Sequence, residues 1–453
     1  MSFLSRAAVA AAVLAPAVAG AQVAPIAGDW YGTLVTPNQK LPLVFHIKSD
    51  GTATIDSPAQ MAKDLPATAT LADGKVRVAL TVAAAAFEGA VSADGKALEG
   101  RWTQGGGSLP LVLGRTAPVA SRPQTPKPPF PYRAEEVSYR NPASGLKLAG
   151  TLTLPQGAGP FPAVVLVTGS GTQDRDETIF GHKPFLLLAD ALTRKGVAVL
   201  RVDDRGAGGS EAGDPAAALI PNFATDVAAG VAFLRGRPDI DPARIGLIGH
   251  SEGGMIAPLV AAQDPRIAFL VLMAAPGVDG VTLLLSQNRA LFTAGGMPAD
   301  QVEIMVKARA DWFEAARNAQ DVDDGRVRLN AVLDRQGVGA DSPLRKEVLG
   351  LATPGWHYML NAQPAEALAK VKVPVLAVGG SKDLQVPAAA NLAAIRAALA
   401  GDRDVTTREL PGLNHLLQTA GTGLVSEYGQ IEETMAPAAL SLIVDWTVAH
   451  AAK

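Results

Sequence analysis

Five consecutive residues, Gly249-His250-Ser251-Glu252-Gly253, constrain this chain more than any other feature of it. They read G-x-S-x-G. The apolar, β-branched run Arg244-Ile245-Gly246-Leu247-Ile248 precedes them, and the helical stretch Gly254–Ala262 follows. In a chain with 46 glycines the pattern alone has little weight. Its setting of strand, sharp turn and helix gives it weight, because such an elbow holds a serine at its tip between neighbours small enough for backbone and substrate to approach. Ser251 is therefore the candidate nucleophile.

A strand feeding a helix through a tight turn belongs to an α/β architecture, and the rest of the C-terminal part repeats that rhythm. Strands are predicted at 146–154, 163–168, 198–202, 245–248, 269–273, 375–378 and 405–410. Helices are predicted at 184–194, 223–234, 255–262, 389–400 and 438–450. Alternation of this kind implies a mostly parallel sheet covered on both faces. From Met297 to about Ala369 it is broken by amphipathic helical stretches such as Ala299–Arg317. An insertion there, between two strands, would lie over the serine as a cap, expected at about 279–370.

The N-terminal third reads differently. Short alternating runs such as Leu41–Ile47, Lys75–Val82 and Ala97–Trp102 are separated by Asp50-Gly51, Asp73-Gly74 and Asp94-Gly95, which are hairpin turns. Residues 22–116 are expected to form a small antiparallel β-barrel or sandwich. It holds no catalytic set. His46 alternates with apolar neighbours as a strand residue does, and Trp30, Tyr31 and Trp102 fit a core better than a ligand pocket. Prolines crowd residues 117–134, a stiff linker or a strap along the surface. The catalytic domain is expected at 135–453. Residues 1–21 carry a basic start, an apolar stretch from Ala7 to Val18 and the small-residue triplet Ala19-Gly20-Ala21, the pattern of an export signal, so the protein is expected to be periplasmic or secreted. That stretch is too short for a stable membrane anchor.

Composition excludes other chemistries. The 453 residues contain no cysteine, so thiolate nucleophiles, thiolate metal sites and disulfides are out. A net charge of −3 gives no reason to expect nucleic acid as a partner. Gly169-Ser170-Gly171 has the start of a dinucleotide fingerprint, but Asp174 stands where the third glycine belongs. Asp174, Asp176 and Glu177 have Arg175 among them and read as a salt-bridged loop, not a metal site. No cofactor and no metal are expected, and oligomeric state cannot be read.

A serine hydroxyl needs a base within hydrogen-bond reach, and the base needs an acid to fix its tautomer. After an elbow of this kind the acid follows a later strand and the histidine one later still. Asp383 comes just past the strand ending near Val378, and His415 in the loop past Val405–Leu410. Of the six histidines, His46, His182, His250, His357 and His450 lie in the wrong element or order. Asp402 and Asp404 compete with Asp383 but sit in a charged, solvated turn. Two backbone N–H groups should hold the oxyanion. Glu252, next to the nucleophile, offers one, and Ser170, in the loop after an early strand, offers the other, with Gly171 close behind.

The blocks Gly169–Glu177, Gly181–Phe185 and Leu200–Gly206, then the elbow, Asp383 and His415, resemble bacterial α/β-hydrolase esterases of the EstD-like group, related to the prolyl-oligopeptidase and dienelactone-hydrolase branches. The likeness covers about residues 135–450, with Thr172 where the group usually has proline. It implies an α/β-hydrolase fold with a helical cap, often behind a small β-rich domain, and a carboxylic ester hydrolase preferring short acyl chains, its partner a small-molecule ester. A serine peptidase or amidase with the same residues is the alternative. A non-catalytic binding protein is the third class, against which the intact residue set argues.

Overall fold

The protein is described here by a computed structural model covering residues 23–452, except 37–39, 61, 82–83, 118–120, 216–217 and 403. The expected export signal at 1–21 lies outside the described residues. The chain divides into two compact units, up to residue 119 and from residue 120.

In the first unit the hairpin turns close a barrel. Its strands are β1 (Gly28–Val35), β2 (Lys40–Ile47), β3 (Thr52–Ser57), β4 (Ala62–Ala72), β5 (Lys75–Leu80), β6 (Ala85–Val91), β7 (Ala97–Gln104) and β8 (Gly107–Gly114), each antiparallel to the next. Closure comes from β1 meeting β8 at Tyr31↔Gly114 and Gly32↔Leu113. Of the barrel and the sandwich, the barrel is the form found. Alternate residues point inward, so Leu41, Leu43, Phe45 and Ile47 of β2 are buried with Trp30, Phe87, Leu98 and Trp102. The two tryptophans are thus core, whereas Tyr31, next along β1 and so on the opposite face, is partly exposed and its hydroxyl donates to Asp29 at 3.3 Å. His46 points outward, bridging Asp29 at 2.7 Å and Asp56 at 3.2 Å.

The second unit is built on an eight-stranded sheet. Its strands are β9 (Arg133–Arg140), β10 (Lys147–Leu154), β11 (Phe161–Val167), β12 (Ala198–Val202), β13 (Ile240–His250), β14 (Leu270–Met273), β15 (Val375–Gly380) and β16 (Val405–Leu410). They lie in the order β16-β15-β14-β13-β11-β12-β10-β9. From β12 to β16 neighbours are parallel, whereas β9 and β10 pair antiparallel at one edge. The inner strands are apolar on both faces. One face packs on α2 (Ile220–Arg235) and α3 (Gly253–Gln263), the other on α1 (Pro184–Arg194) and, at the C-terminus, Pro437–Ala451.

Between β14 and β15 the chain forms the helical insertion: α4 (Gly280–Ala294), α5 (Ala299–Arg317), α6 (Val322–Arg335), α7 (Pro343–Leu349), α8 (Pro354–Asn361) and α9 (Pro364–Leu368). It has a core of its own around Trp312, Phe313, Leu329, Leu333 and Leu360. The proline-rich segment is a strap on this unit, not a free spacer. The Arg122 guanidinium donates to the carbonyls of Phe180, Gly429 and Ile431 at 2.7, 2.8 and 3.0 Å, and the Gln124 side chain exchanges hydrogen bonds with the backbone of Thr434 and Met435. No helix among the described residues is long and apolar enough to cross a membrane.

Candidate active site

The parallel strands deliver the site at their C-terminal ends, where open α/β sheets place ligands. Ser251 follows β13 directly and has φ +54°, a left-handed conformation that a non-glycine residue adopts only under constraint. Two glycines make the turn possible. A Cβ on Gly249 would come to 2.2 Å from the Gly253 carbonyl oxygen, and one on Gly253 to 2.2 Å from the Val167 oxygen. The Ser251 N–H donates to the Met273 carbonyl at 2.9 Å, tying the elbow to β14.

Ser251, His415 and Asp383 come together. His415 Nε2 lies 3.0 Å from Ser251 Oγ, and its Nδ1 lies 2.8 Å from Asp383 Oδ2. The carboxylate only accepts, so Nδ1 carries the proton and Nε2 presents its lone pair to the serine hydroxyl. Asp383 is itself held: its Oδ1 accepts the N–H groups of Gln385 and Val386 at 2.9 and 2.8 Å. Both Asp383 and His415 are buried. Of the competing carboxylates, Asp404 faces His450 at 3.2 Å, and Asp402 accepts the Asp404 N–H.

The loop after β11 runs beside the elbow. A Cβ on Gly169 would sit 3.3 Å from the Ser251 Cβ. Ser170 and Glu252 both line the cavity that contains Ser251 and His415. Among the described residues, neither of their backbone N–H groups donates to another protein group. Two carboxylates, one buried and one half-buried, hold the loop. Glu177 Oε1 accepts the Gly169 N–H at 2.7 Å, and Asp204 accepts the Thr168 hydroxyl at 2.8 Å and the Gln173 N–H at 2.9 Å. Burial, aided by the charges of Glu177 and Asp226, pushes Asp204 up to about 7 against those hydrogen bonds.

The Asp174–Glu177 stretch is only partly the salt-bridged loop expected. Asp176 pairs with Arg201 and, at 3.0 Å, with Lys183, while Arg175 is forked onto Asp203 and reaches Glu136. Glu177 turns inward instead and meets His250 at 2.9 Å. Sequence reasoning set both residues aside, although both lie in the blocks that carried the resemblance. His182 is buried between Thr434 and the Tyr428 carbonyl, each at 3.0 Å, and braces the loop after His415.

Above the serine lies a cavity of about 470 Å³. Leu219, Phe223 and Met255 line it, together with Leu284, Trp356 and Met359 of the insertion. Glu252 is also on this wall, and burial raises its carboxyl above the ordinary range.

A nucleophile elbow at the end of the central strand, with an acid and a histidine past the next strands, defines an α/β-hydrolase of the serine hydrolase superfamily. Within that class the chain belongs to the X-Pro dipeptidyl-peptidase (S15) family, whose pattern matches residues 144–400. It is similar to Esterase EstD of Thermotoga maritima, 28% identical over 271 residues, which are 60% of this chain and 58% of that protein; the likeness thus spans less than two thirds of that relative. It is also 35% identical over 128 residues to Thiohydrolase aneE of Aspergillus aculeatus, 28% of this chain and 37% of that protein. Among solved structures, the α/β hydrolase GrgF from Penicillium sp. sh18 aligns with 17% identity and a TM-score of 0.44 over 71% of this chain and 100% of that one. The Pyrococcus furiosus esterase Pf2001 aligns with 15% identity and a TM-score of 0.42 over 70% and 92%.

Proposed function

We propose that the protein is an exported carboxylic ester hydrolase that works through an acyl-enzyme on Ser251 and prefers short acyl chains. The observation that carries this reading is the continuous hydrogen-bond line Ser251–His415–Asp383 opening into the capped cavity. Ser251 Oγ attacks the ester carbonyl while its proton passes to His415 Nε2, and Asp383 stabilises the imidazolium that forms. The Ser170 and Glu252 N–H groups take the negative charge that develops on the carbonyl oxygen. As the tetrahedral intermediate collapses, the ester C–O bond breaks and His415 gives its proton to the departing alkoxide. Water then repeats the sequence against the acyl-enzyme and releases the acid. The cavity of about 470 Å³, lined largely by apolar side chains, has room for a small ester. Export is supported by the signal-like pattern of residues 1–21.

Amide cleavage is the second reading, favoured by the Glu252 carboxyl on the cavity wall, where a substrate amine would meet it. Parallel rates on short acyl esters and aminoacyl anilides separate the two, with esters expected to dominate. Ser251→Ala should keep the fold and lose at least about a thousandfold in hydrolysis. A fluorophosphonate probe should label the wild type at Ser251 alone. Full activity in the variant, or labelling elsewhere, would overturn the assignment.

A further inference from the structure

His250 is buried next to the nucleophile, and the proposed chemistry makes no use of it. Its Nδ1 lies 2.9 Å from Glu177 Oε1, and its Nε2 lies 3.0 Å from the backbone carbonyl oxygen of His415. A carboxylate and a carbonyl are both acceptors, so both ring nitrogens must donate, and an imidazole that donates twice is a cation. A neutral ring would set a lone pair against one of those oxygens. Moving the proton to Glu177 Oε1 would leave the Gly169 N–H, 2.7 Å away, with a hydroxyl oxygen, a poor acceptor, in place of a carboxylate.

The partner residue carries its own sign of constraint. Glu177 is 1% exposed and has φ +50°, and its second oxygen, Oε2, has no hydrogen-bond partner among the described residues. A carboxylate kept so dry, on a strained backbone, needs a fixed positive charge beside it. The charged or titratable groups facing the pair are the His415 ring, 5.0 Å from that of His250 between centroids, Asp383 behind it, and Asp204 on the Glu177 side. Burial works against a charged His250, but the Glu177 charge and hydrogen bond prevail and hold its basicity above the ordinary histidine range.

We infer that Glu177 and His250 form a buried ion pair that positions the site, clamping the oxyanion loop through the Gly169 N–H and the loop of the base through the His415 carbonyl. The two halves of the machinery come from segments far apart in sequence, and this pair is a direct bridge between them. Neither residue touches substrate. The inference rests on the reading of Ser251, His415 and Asp383 as catalytic, but its test begins with a readout that does not.

In the full chain labelled with ¹⁵N-histidine, the His250 ring, assigned by its through-space contacts to His415, should carry protons on both nitrogens at pH 8, above the ordinary histidine range. A single proton there overturns the inference. Glu177→Gln keeps an oxygen for the Gly169 N–H but cannot hold an imidazolium. It should lower kcat on a short acyl ester by about ten- to a hundredfold, the worth of one charge-assisted hydrogen bond, with KM changed by less than about threefold. His250→Gln can serve only one of the two acceptors and should show the same split. Rates are counted per site titrated by fluorophosphonate, so loss of folded protein does not imitate the effect. Folded variants that keep kcat within about twofold would refute the positioning role. If Ser251→Ala retained hydrolysis, the catalytic reading would fail instead, while the protonation of His250 would stand.

Discussion

Asp383→Asn should disable the site without disturbing the fold, and the hydrogen bonds around Asp383 show why. Two backbone N–H groups, from Gln385 and Val386, point at Oδ1, and only an oxygen can accept them. The asparagine carbonyl must therefore take that place, which puts its NH₂ group where Oδ2 faces His415 Nδ1 at 2.8 Å. An NH₂ group donates, so Nδ1 must accept and the ring proton moves to Nε2, where it points at Ser251 Oγ. The base then has no lone pair for the serine proton. Flipping the amide would restore the active tautomer but leave two buried N–H groups without acceptors, at about 1–3 kcal/mol each. The active form is thus held to about one part in thirty to one part in thirty thousand by the flip alone. The imidazolium also loses its stabilising charge, so the expected fall in kcat is about ten-thousandfold, roughly 5.5 kcal/mol. Steady-state rates on a short acyl ester and the rate of Ser251 phosphonylation should fall together, with the melting temperature within about 3 °C of the wild type. Asp383→Ala is the contrast, since it strands both N–H groups and should lose stability as well. A loss of less than about tenfold in Asp383→Asn would refute the tautomer argument and remove Asp383 from its role.

Other consequences follow from single contacts. Gly253→Ala would bring a Cβ to 2.2 Å from the Val167 oxygen and 2.6 Å from the Thr168 oxygen, so it should destabilise the protein by about 1–3 kcal/mol or more in denaturant titration; an unchanged midpoint would mean that the elbow yields more than its packing suggests. Asp204, pushed up to about 7, binds its proton more tightly folded than unfolded, so it costs stability as pH rises from about 4 to 7. Asp204→Asn, whose amide can serve both Gln173 and Thr168, should therefore gain on the wild type between pH 5 and pH 8, and an equal difference at both would contradict the shift. A chain beginning at Pro131 should melt several degrees below one beginning at Ser121, because it lacks the Arg122 and Gln124 contacts; equal melting temperatures would reduce the strap to an ornament of the surface.

The elements most easily read in the sequence were those whose hydrophobic pattern follows from burial on both sides. Ala198–Val202, buried along nearly its whole length, has the predicted bounds, as does α1, whose Pro184 sits in its first turn; the edge strand Val405–Leu410 has them too, although none of its residues is buried. Strand β9, at the opposite edge of the sheet, was missed. Its residues Arg133–Arg140 alternate between exposed and half-buried, and their charges mask a pattern that only pairing with β10 reveals. The barrel was half visible for a related reason. The Asp-Gly turns marked the hairpins, but β4 and β6 are rich in alanine and carry little hydrophobic contrast. Whether the strands form a barrel or a sandwich is settled by β1 meeting β8, a contact between residues about eighty positions apart that no local pattern encodes.

The site divides along the same line. Ser251, Asp383 and His415 could be picked out because each follows a strand, and strand order is written in the sequence. What holds them in register is not written there, because it depends on which carboxylate turns inward. Asp174, Arg175, Asp176 and Glu177 look alike as a charged loop, and the first three behave as one: Asp174 caps backbone N–H groups, Arg175 binds Asp203, and Asp176 binds Lys183 and Arg201. Glu177 differs: with a backbone φ of +50° its side chain turns inward, to the Gly169 N–H and to a histidine 73 positions away. That histidine is invisible for the opposite reason, since at the variable position of G-x-S-x-G any side chain satisfies the motif. A catalytic pattern specifies the groups that react, whereas the groups that align them are fixed by tertiary contacts. Buried titratable side chains beside an elbow are therefore the natural place to look for them in a three-dimensional structure.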